Sequence, residues 1–200
     1  MLEKLKQVLF LRGHRTFLRP FELNIVGVRS KRSTPNSFDD CIYVFYMDGT
    51  AHWKLFSFPA TTDPGLHWLL NPMNQNGTAI LKPGQYLGAY QIGMHRRKYQ
   101  ALVQRKPVTV YRDFDRNKVF DLSGSKQETG MFGINIHRAL EEGITQIVNK
   151  HSAGCQVFAS ADDFDTFMRL CEAHKQRYGN SFTYTLLNDV FSSSQNAIAA

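Results

Sequence analysis

The sequence predicts a mainly β domain of the α+β class, with helices at its periphery. Short alternating or apolar runs separated by Gly, Pro, Asn and Asp recur along the chain, the pattern of successive strands and turns. Helical periodicity is confined to the two ends. No internal repeat and no linker divides the 200 residues, a length suited to one domain.

The elements follow in order. Residues 1–12 are weakly amphipathic and read as a short helix ended by Gly13. Residues 21–28 alternate and read as a strand. Cys41 to Met47 and Ala51 to Phe58 read as paired strands, with Asp48-Gly49 as the hairpin signal between them. Residues 59–84 carry Pro, Gly, Asn and Thr and read as a long loop with one turn near Leu66 to Leu70. Strands are expected at 85–92, 99–104 and 108–112. Residues 119–122 are expected to pair back after the Asp115-Arg116-Asn117 turn, followed by strands at 132–137 and 156–159. Ser160 is a good helix N-cap, with Asp162 and Asp163 in the first turn and Phe164, Phe167, Met168 and Cys171 on one apolar face. Gly179-Asn180 ends that helix, residues 182–187 form a last strand, and residues 192–200 are a small polar tail.

Composition narrows the function classes. The apolar residues come in runs too short to span a bilayer as a helix. The first residues lack the long apolar stretch and cleavage site of a signal peptide, so synthesis in the cytoplasm is expected. The three cysteines, Cys41, Cys155 and Cys171, have no metal-ligand spacing and suggest no disulfide framework. Asp113-x-Asp115-x-Asn117 opens like a calcium loop, but Lys118 and Gly124 stand where Gly and Glu are needed. No metal or cofactor is expected. The net charge of +7 implies an anionic partner, either nucleic acid, cell wall or anionic lipid.

One segment concentrates chemistry. An apolar run, Gly133 to Ile136, ends in His137; Ser152-Ala153-Gly154-Cys155 then precedes a second apolar run. A free thiol is a poor nucleophile near neutral pH, and a histidine beside it can take its proton. Gly154 permits close backbone approach, and the N–H groups of Gly154 and Cys155 are candidate oxyanion donors. An ordinary buried thiol fits the same spacing. His151 is the rival base, but a strand-end histidine is held more firmly than one in a loop.

This segment resembles the L,D-transpeptidase (YkuD-type) catalytic domain family. That family carries a histidine closing a strand, a spacer, and then Ser/Thr-His-Gly-Cys. Here His137 and Ser152 are separated by fourteen residues, Ser152, Gly154 and Cys155 match, and Ala153 replaces the family's histidine or arginine. Lys82-Pro83-Gly84-Gln85-Tyr86 resembles the family's approach to a strand. The likeness covers residues 40–160, with residues 1–38 an N-terminal extension and 160–190 a C-terminal helix and strand. It implies a β-sandwich with the cysteine in a cleft. It also implies acyl transfer, in which the cysteine attacks a carbonyl at diaminopimelate in a peptidoglycan stem peptide. The thioester is then resolved by water or by an amine. His137 would be the base, steadied by the backbone carbonyl of Arg138, and Ser152 would order the loop. Without a signal peptide, the reading becomes a monomeric phage-type endolysin, made in the cytoplasm and released to the wall.

Other residues join as candidate contacts. His95, with Arg96 and Arg97, reads as a solvated basic turn or as a contact for a substrate carboxylate. Arg138 reads as a carboxylate contact or a surface salt bridge. Trp53, Trp68, Tyr43, Tyr46 and Phe56 read mostly as core. The basic runs Arg29-Ser30-Lys31-Arg32 and Arg96-Arg97-Lys98 suit phosphates but lack interleaved aromatics. A transpeptidase that forms cross-links is one alternative. A non-catalytic protein binding nucleic acid or wall is another, and it predicts salt-sensitive binding indifferent to loss of Cys155.

Overall fold

The computed structural model describes residues 1–31, 34–120, 122 and 125–189. In chain order the elements are α1 (Leu2–Leu11), β1 (Asn24–Arg29), β2 (Asp40–Met47), β3 (Trp53–Thr61), α2 (Leu66–Leu70), β4 (Thr78–Leu81), β5 (Gly84–His95), β6 (Tyr99–Gln104), β7 (Val108–Asp113), β8 (Gln127–Gly130), β9 (Ile136–Arg138), β10 (Gln156–Phe158), α3 (Ala161–Tyr178) and β11 (Phe182–Asn188). The fold is mainly β with few helices, as its punctuation predicts. Eight strands close into a barrel in the order β1-β11-β5-β6-β9-β10-β3-β2, and β4-β7-β8 form a separate small sheet. Among the described residues no helix is long and apolar enough to cross a membrane.

Alternation decides which side chains fill the barrel. Ile25 and Gly27 of β1 face inward, while Val26 and Val28 face out beneath α1. Leu5 and Leu9 of that helix are fully buried against Val26, Val28, Phe45 and Leu187, and Trp53 packs on the same cluster. The N-terminal extension is therefore integral to the barrel wall. Gly27 is required by its neighbour: a Cβ there would stand 1.8 Å from the Tyr184 hydroxyl. That hydroxyl donates to Gln156 Oε1 at 2.8 Å inside the barrel. At the other end of the chain, Ser160 Oγ accepts from Asp163 N–H at 3.3 Å and caps α3. Phe164 and Phe167 of α3 then pack on Phe158 of β10, with ring centroids 5.6 and 4.9 Å apart.

Several boundaries depart from the sequence pattern. Phe21 has φ 62°, so the first strand starts at Asn24 rather than at residue 21. The β2–β3 connection is longer than Asp48-Gly49: Asp48 Oδ1 accepts from the N–H groups of Thr50 and His52, and Ala51 takes a left-handed conformation at φ 61°. The expected loop 59–84 holds the end of β3, α2 and β4. The strand returning against β7 is Gln127–Gly130, not 119–122; Val119 and Phe120 are not in a strand, and Asp121 lies outside the described residues. Gln-Glu-Thr-Gly shows no apolar alternation, so its pairing depends on partners across the ladder. Thr129 meets Thr109 at 2.8 Å and Glu128 meets Arg112 at 2.8 Å. Of the expected strand 132–137, only residues 136 and 137 pair in a ladder, which runs on to Arg138. The preceding turn is held instead by Gln104, whose Oε1 accepts from the N–H groups of Phe132 and Ile134 at 3.1 and 3.0 Å. The tail 192–200 lies outside the described residues.

Replacing Tyr184 by Phe removes the barrel's internal hydrogen bond and leaves the buried Gln156 Oε1 without its donor. Urea denaturation of this variant should show a loss of about 1–3 kcal/mol.

Candidate active site

The site is set by a parallel ladder. β9 pairs with β10 in parallel, with Gln156 opposite Ile136, Val157 opposite His137 and Phe158 opposite Arg138. Parallel neighbours cannot be joined by a tight turn, and the chain must travel back along the strand. Residues 139–155 make that return, which is the physical meaning of the long spacer between His137 and Cys155. The return ends at Cys155, just before β10, beside Asn135, just before β9. With a two-residue side-chain period, Asn135 and His137 share the face opposite Ile136, and Cys155 joins them on it.

Cys155 is half-buried. The Asn135 N–H donates to its Sγ at 3.4 Å, and the thiol donates to the Gly133 carbonyl at 3.4 Å. Burial pushes the thiol pKa up, while the Asn135 donor and the positive charge of Arg96 pull it back. The resting state is a neutral thiol hydrogen bonded to backbone, not a thiolate–imidazolium pair. Gly154 has φ +118°, and a Cβ there would stand 2.2 Å from the Ala79 carbonyl oxygen. Only glycine lets this loop seat against β4. Ser152 is fully buried; its Oγ donates to the Cys155 carbonyl at 2.8 Å and accepts the Gly154 N–H at 3.2 Å. It orders the loop as expected, and in doing so it engages the Gly154 N–H. Of the two expected oxyanion donors, the Cys155 N–H is the one left unengaged among the described residues.

His137 is 4 % exposed. Its Nδ1 lies 2.8 Å from the Arg138 carbonyl oxygen. A carbonyl only accepts, so Nδ1 carries the hydrogen and Nε2 presents a lone pair. The Tyr99 hydroxyl donates to the same carbonyl at 3.2 Å and sits 3.4 Å from Nδ1. Burial first, then the neighbouring His95, lowers the His137 pKa to about 3. This imidazole is therefore a neutral base at physiological pH.

His95 is not the solvated turn residue that its basic surroundings suggest. It closes β5 and is 6 % exposed, and its ring stacks on that of His137 with centroids 4.1 Å apart. Arg96 and Arg97 do occupy an exposed turn, with φ 49° and 58°. Asn135, which no motif marks, joins the two halves: its backbone holds the Cys155 sulfur, and its side-chain Nδ2 lies 3.1 Å from His95 Nδ1. Only a polar residue two before the histidine on an apolar run could have hinted at it.

The remaining candidates have other engagements. Arg138 lies over the Tyr99 ring at 4.5 Å, bonds the Glu141 carbonyl and stands 4.0 Å from Asp165. His151, the rival base, is close enough for its charge to lower the His137 pKa, and burial lowers its own. Cys41 and Cys171 have thiols pushed up by burial. Arg29 is turned inward onto Asp63 at 2.8 Å and is 2 % exposed, so it does not present a phosphate-binding surface. Arg32 lies outside the described residues. Trp53 is covered by Lys6 in the α1 cluster, whereas Trp68 lines a cleft of about 310 Å³ with Met73, Ala79, Met131, Phe132 and Ala153. Neither Cys155 nor His137 lines that cleft; it reaches Ala153, two residues before Cys155, and Phe132, next to the Gly133 whose carbonyl accepts the thiol.

Burying a neutral histidine has a pH signature. In the unfolded chain a histidine takes up its proton near pH 6.5. In the fold His137 resists it down to about 3 and His95 down to about 4. The unfolded state therefore binds more protons as pH falls below about 6.5, and stability declines over that window. Relative to His137→Gln, the wild type should lose stability between pH 7 and pH 4, read from denaturation midpoints at each pH. Comparisons with protein-family models, curated proteins and solved structures give no match, so the chemistry of this site is read from its own geometry.

Proposed function

We propose that this chain is a cysteine enzyme that opens amide bonds in peptidoglycan stem peptides or cross-links near diaminopimelate, in the manner of an endolysin. The observation that carries the chemical half is the shared strand face. Parallel pairing sets a half-buried thiol and a neutral imidazole with a free Nε2 on one side of β9 and β10. The choice of substrate rests on the likeness of His137 and Ser152-Ala153-Gly154-Cys155 to the L,D-transpeptidase pattern. A mainly β fold suits that likeness in outline, although its main strands close into a barrel where a sandwich was expected, and the nearby cleft reaches Ala153 rather than the thiol.

The reaction begins when His137 Nε2 takes the Cys155 proton, for which the thiol must turn from the Gly133 carbonyl. The sulfur then attacks the scissile carbonyl carbon, and the Cys155 N–H faces the developing oxyanion. Collapse of the tetrahedral intermediate expels the amine, which takes the proton from His137, and a thioester remains. Water attacks the thioester while passing a proton to His137 Nε2. The second collapse breaks the C–S bond, releases the carboxylic acid and returns the proton to sulfur. An amine in place of water gives transpeptidation. Ala153 lines the cleft with a methyl group where the family has a long polar side chain, which favours the small nucleophile, water. The net charge of +7 would hold the protein to anionic wall or outer-membrane lipid. The enzyme would act there after release from the cytoplasm.

Purified peptidoglycan with diaminopimelate stems, incubated with wild type and with Cys155→Ala, tests the proposal by mass spectrometry. Wild type should release smaller muropeptides, and the variant should be slower by at least about a thousandfold. New cross-links or exchanged terminal residues would assign transpeptidation instead. Equal product patterns from both proteins would remove the enzyme reading and favour a binding role.

A further inference from the structure

We propose that His95 is a positioning residue: a neutral imidazole, locked in one tautomer by Asn135, that stacks on His137 and holds it in register for proton transfer. The inference rests on the enzymatic reading above only for its effect on turnover. The tautomer itself follows from a chain of donors and acceptors. The Gln104 backbone N–H donates to Asn135 Oδ1 at 2.9 Å. A backbone N–H can only donate, so the orientation of the Asn135 amide is settled and its Nδ2 is the atom facing His95. The 3.1 Å contact between Nδ2 and His95 Nδ1 then requires an unprotonated Nδ1. The hydrogen of His95 is on Nε2, and a protonated His95 would set N–H against N–H.

The consequence falls on the neighbouring ring. The two imidazoles stack at 4.1 Å with an interplanar angle of 25°. When His137 receives the thiol proton it becomes a cation, and a charged His95 at that distance would oppose it strongly in this buried setting. A neutral ring adds no such opposition and fixes the plane of His137 from one side, while the Arg138 carbonyl fixes its edge. Asn135 serves both partners, since its N–H holds the sulfur and its side chain holds His95. The other groups near the pair are Arg96 and Arg138, His151 and the Tyr99 hydroxyl. The Arg96 charge acts on both rings, so the surroundings also disfavour a second cation.

Nitrogen-15 NMR of the imidazoles across pH, on wild type, Asn135→Asp, His95→Phe and His95→Ala, tests this without substrate. In wild type, His95 should show the Nε2–H tautomer and stay uncharged at pH 5. Asn135→Asp puts a carboxylate oxygen against Nδ1, and His95 should then titrate at least one pH unit higher. In turnover, His95→Ala should lower kcat at least about tenfold with KM within about twofold, while His95→Phe, which keeps the stack, should recover most of that loss. A wild-type His95 that carries its hydrogen on Nδ1, or is charged at pH 6, would overturn the inference. So would an unchanged kcat in folded His95→Ala. A wild type that turns over no peptidoglycan would count against the enzyme and leave the imidazole assignment to be decided by the NMR.

Discussion

The parallel pairing of β9 with β10 is the constraint on which the rest of the site depends. An antiparallel pair would be joined by a short turn and would put the two strand ends on opposite sides. Here the chain must cross back, and it arrives beside the point where β9 began. The thiol at the start of β10 and the imidazole within β9 thereby come to one face. The crossover supplies the loop that Ser152 and Gly154 shape around the sulfur.

Closure of the barrel gives this short ladder its rigidity. β9 and β10 contribute only three residues each, too few to persist as an isolated pair. They are held between β6 and β3, and their inward side chains join the core at Ile136, Gln156 and Phe158. Gln156 bonds Tyr184 within the barrel and lies next in sequence to Cys155. The position of the nucleophile is thus tied to the packing of β11 and, through the absent side chain of Gly27, to β1. α1 and α3 cover opposite parts of this wall, so the two ends of the chain support a site to which neither contributes a reactive group.

The thiol, the His137 ring and the Asn135 amide each have an acceptor, and none of these groups is charged at rest. The thiol donates to Gly133, the His137 Nδ1–H to Arg138, and the Asn135 amide to His95. Burying neutral groups costs far less than burying an ion pair. The site therefore holds its base and its nucleophile uncharged, and charge develops only with the reaction. Arg96, exposed at the β5–β6 turn, contributes a positive field to the sulfur without entering the site.

The chain's own pattern was enough to determine the mainly β class and the Ser160-capped helix with its buried face; the grouping of His137 with Ser152, Gly154 and Cys155 came from the family likeness. The first two rest on local signals: turn residues, apolar periodicity and a capping hydroxyl. Closure into a barrel, the pairing of Gln127–Gly130, the burial of His95 and the part played by Asn135 were decided only by tertiary structure. Each depends on which strand lies alongside which, and strand register over long separations leaves no mark in local sequence. His95 sits in a basic turn by sequence and against His137 in space, because β5 and β6 carry it across to the edge of β9. Gly154 reads locally as a flexible position, and the fold reveals its reason, a β4 carbonyl that leaves no room for a Cβ.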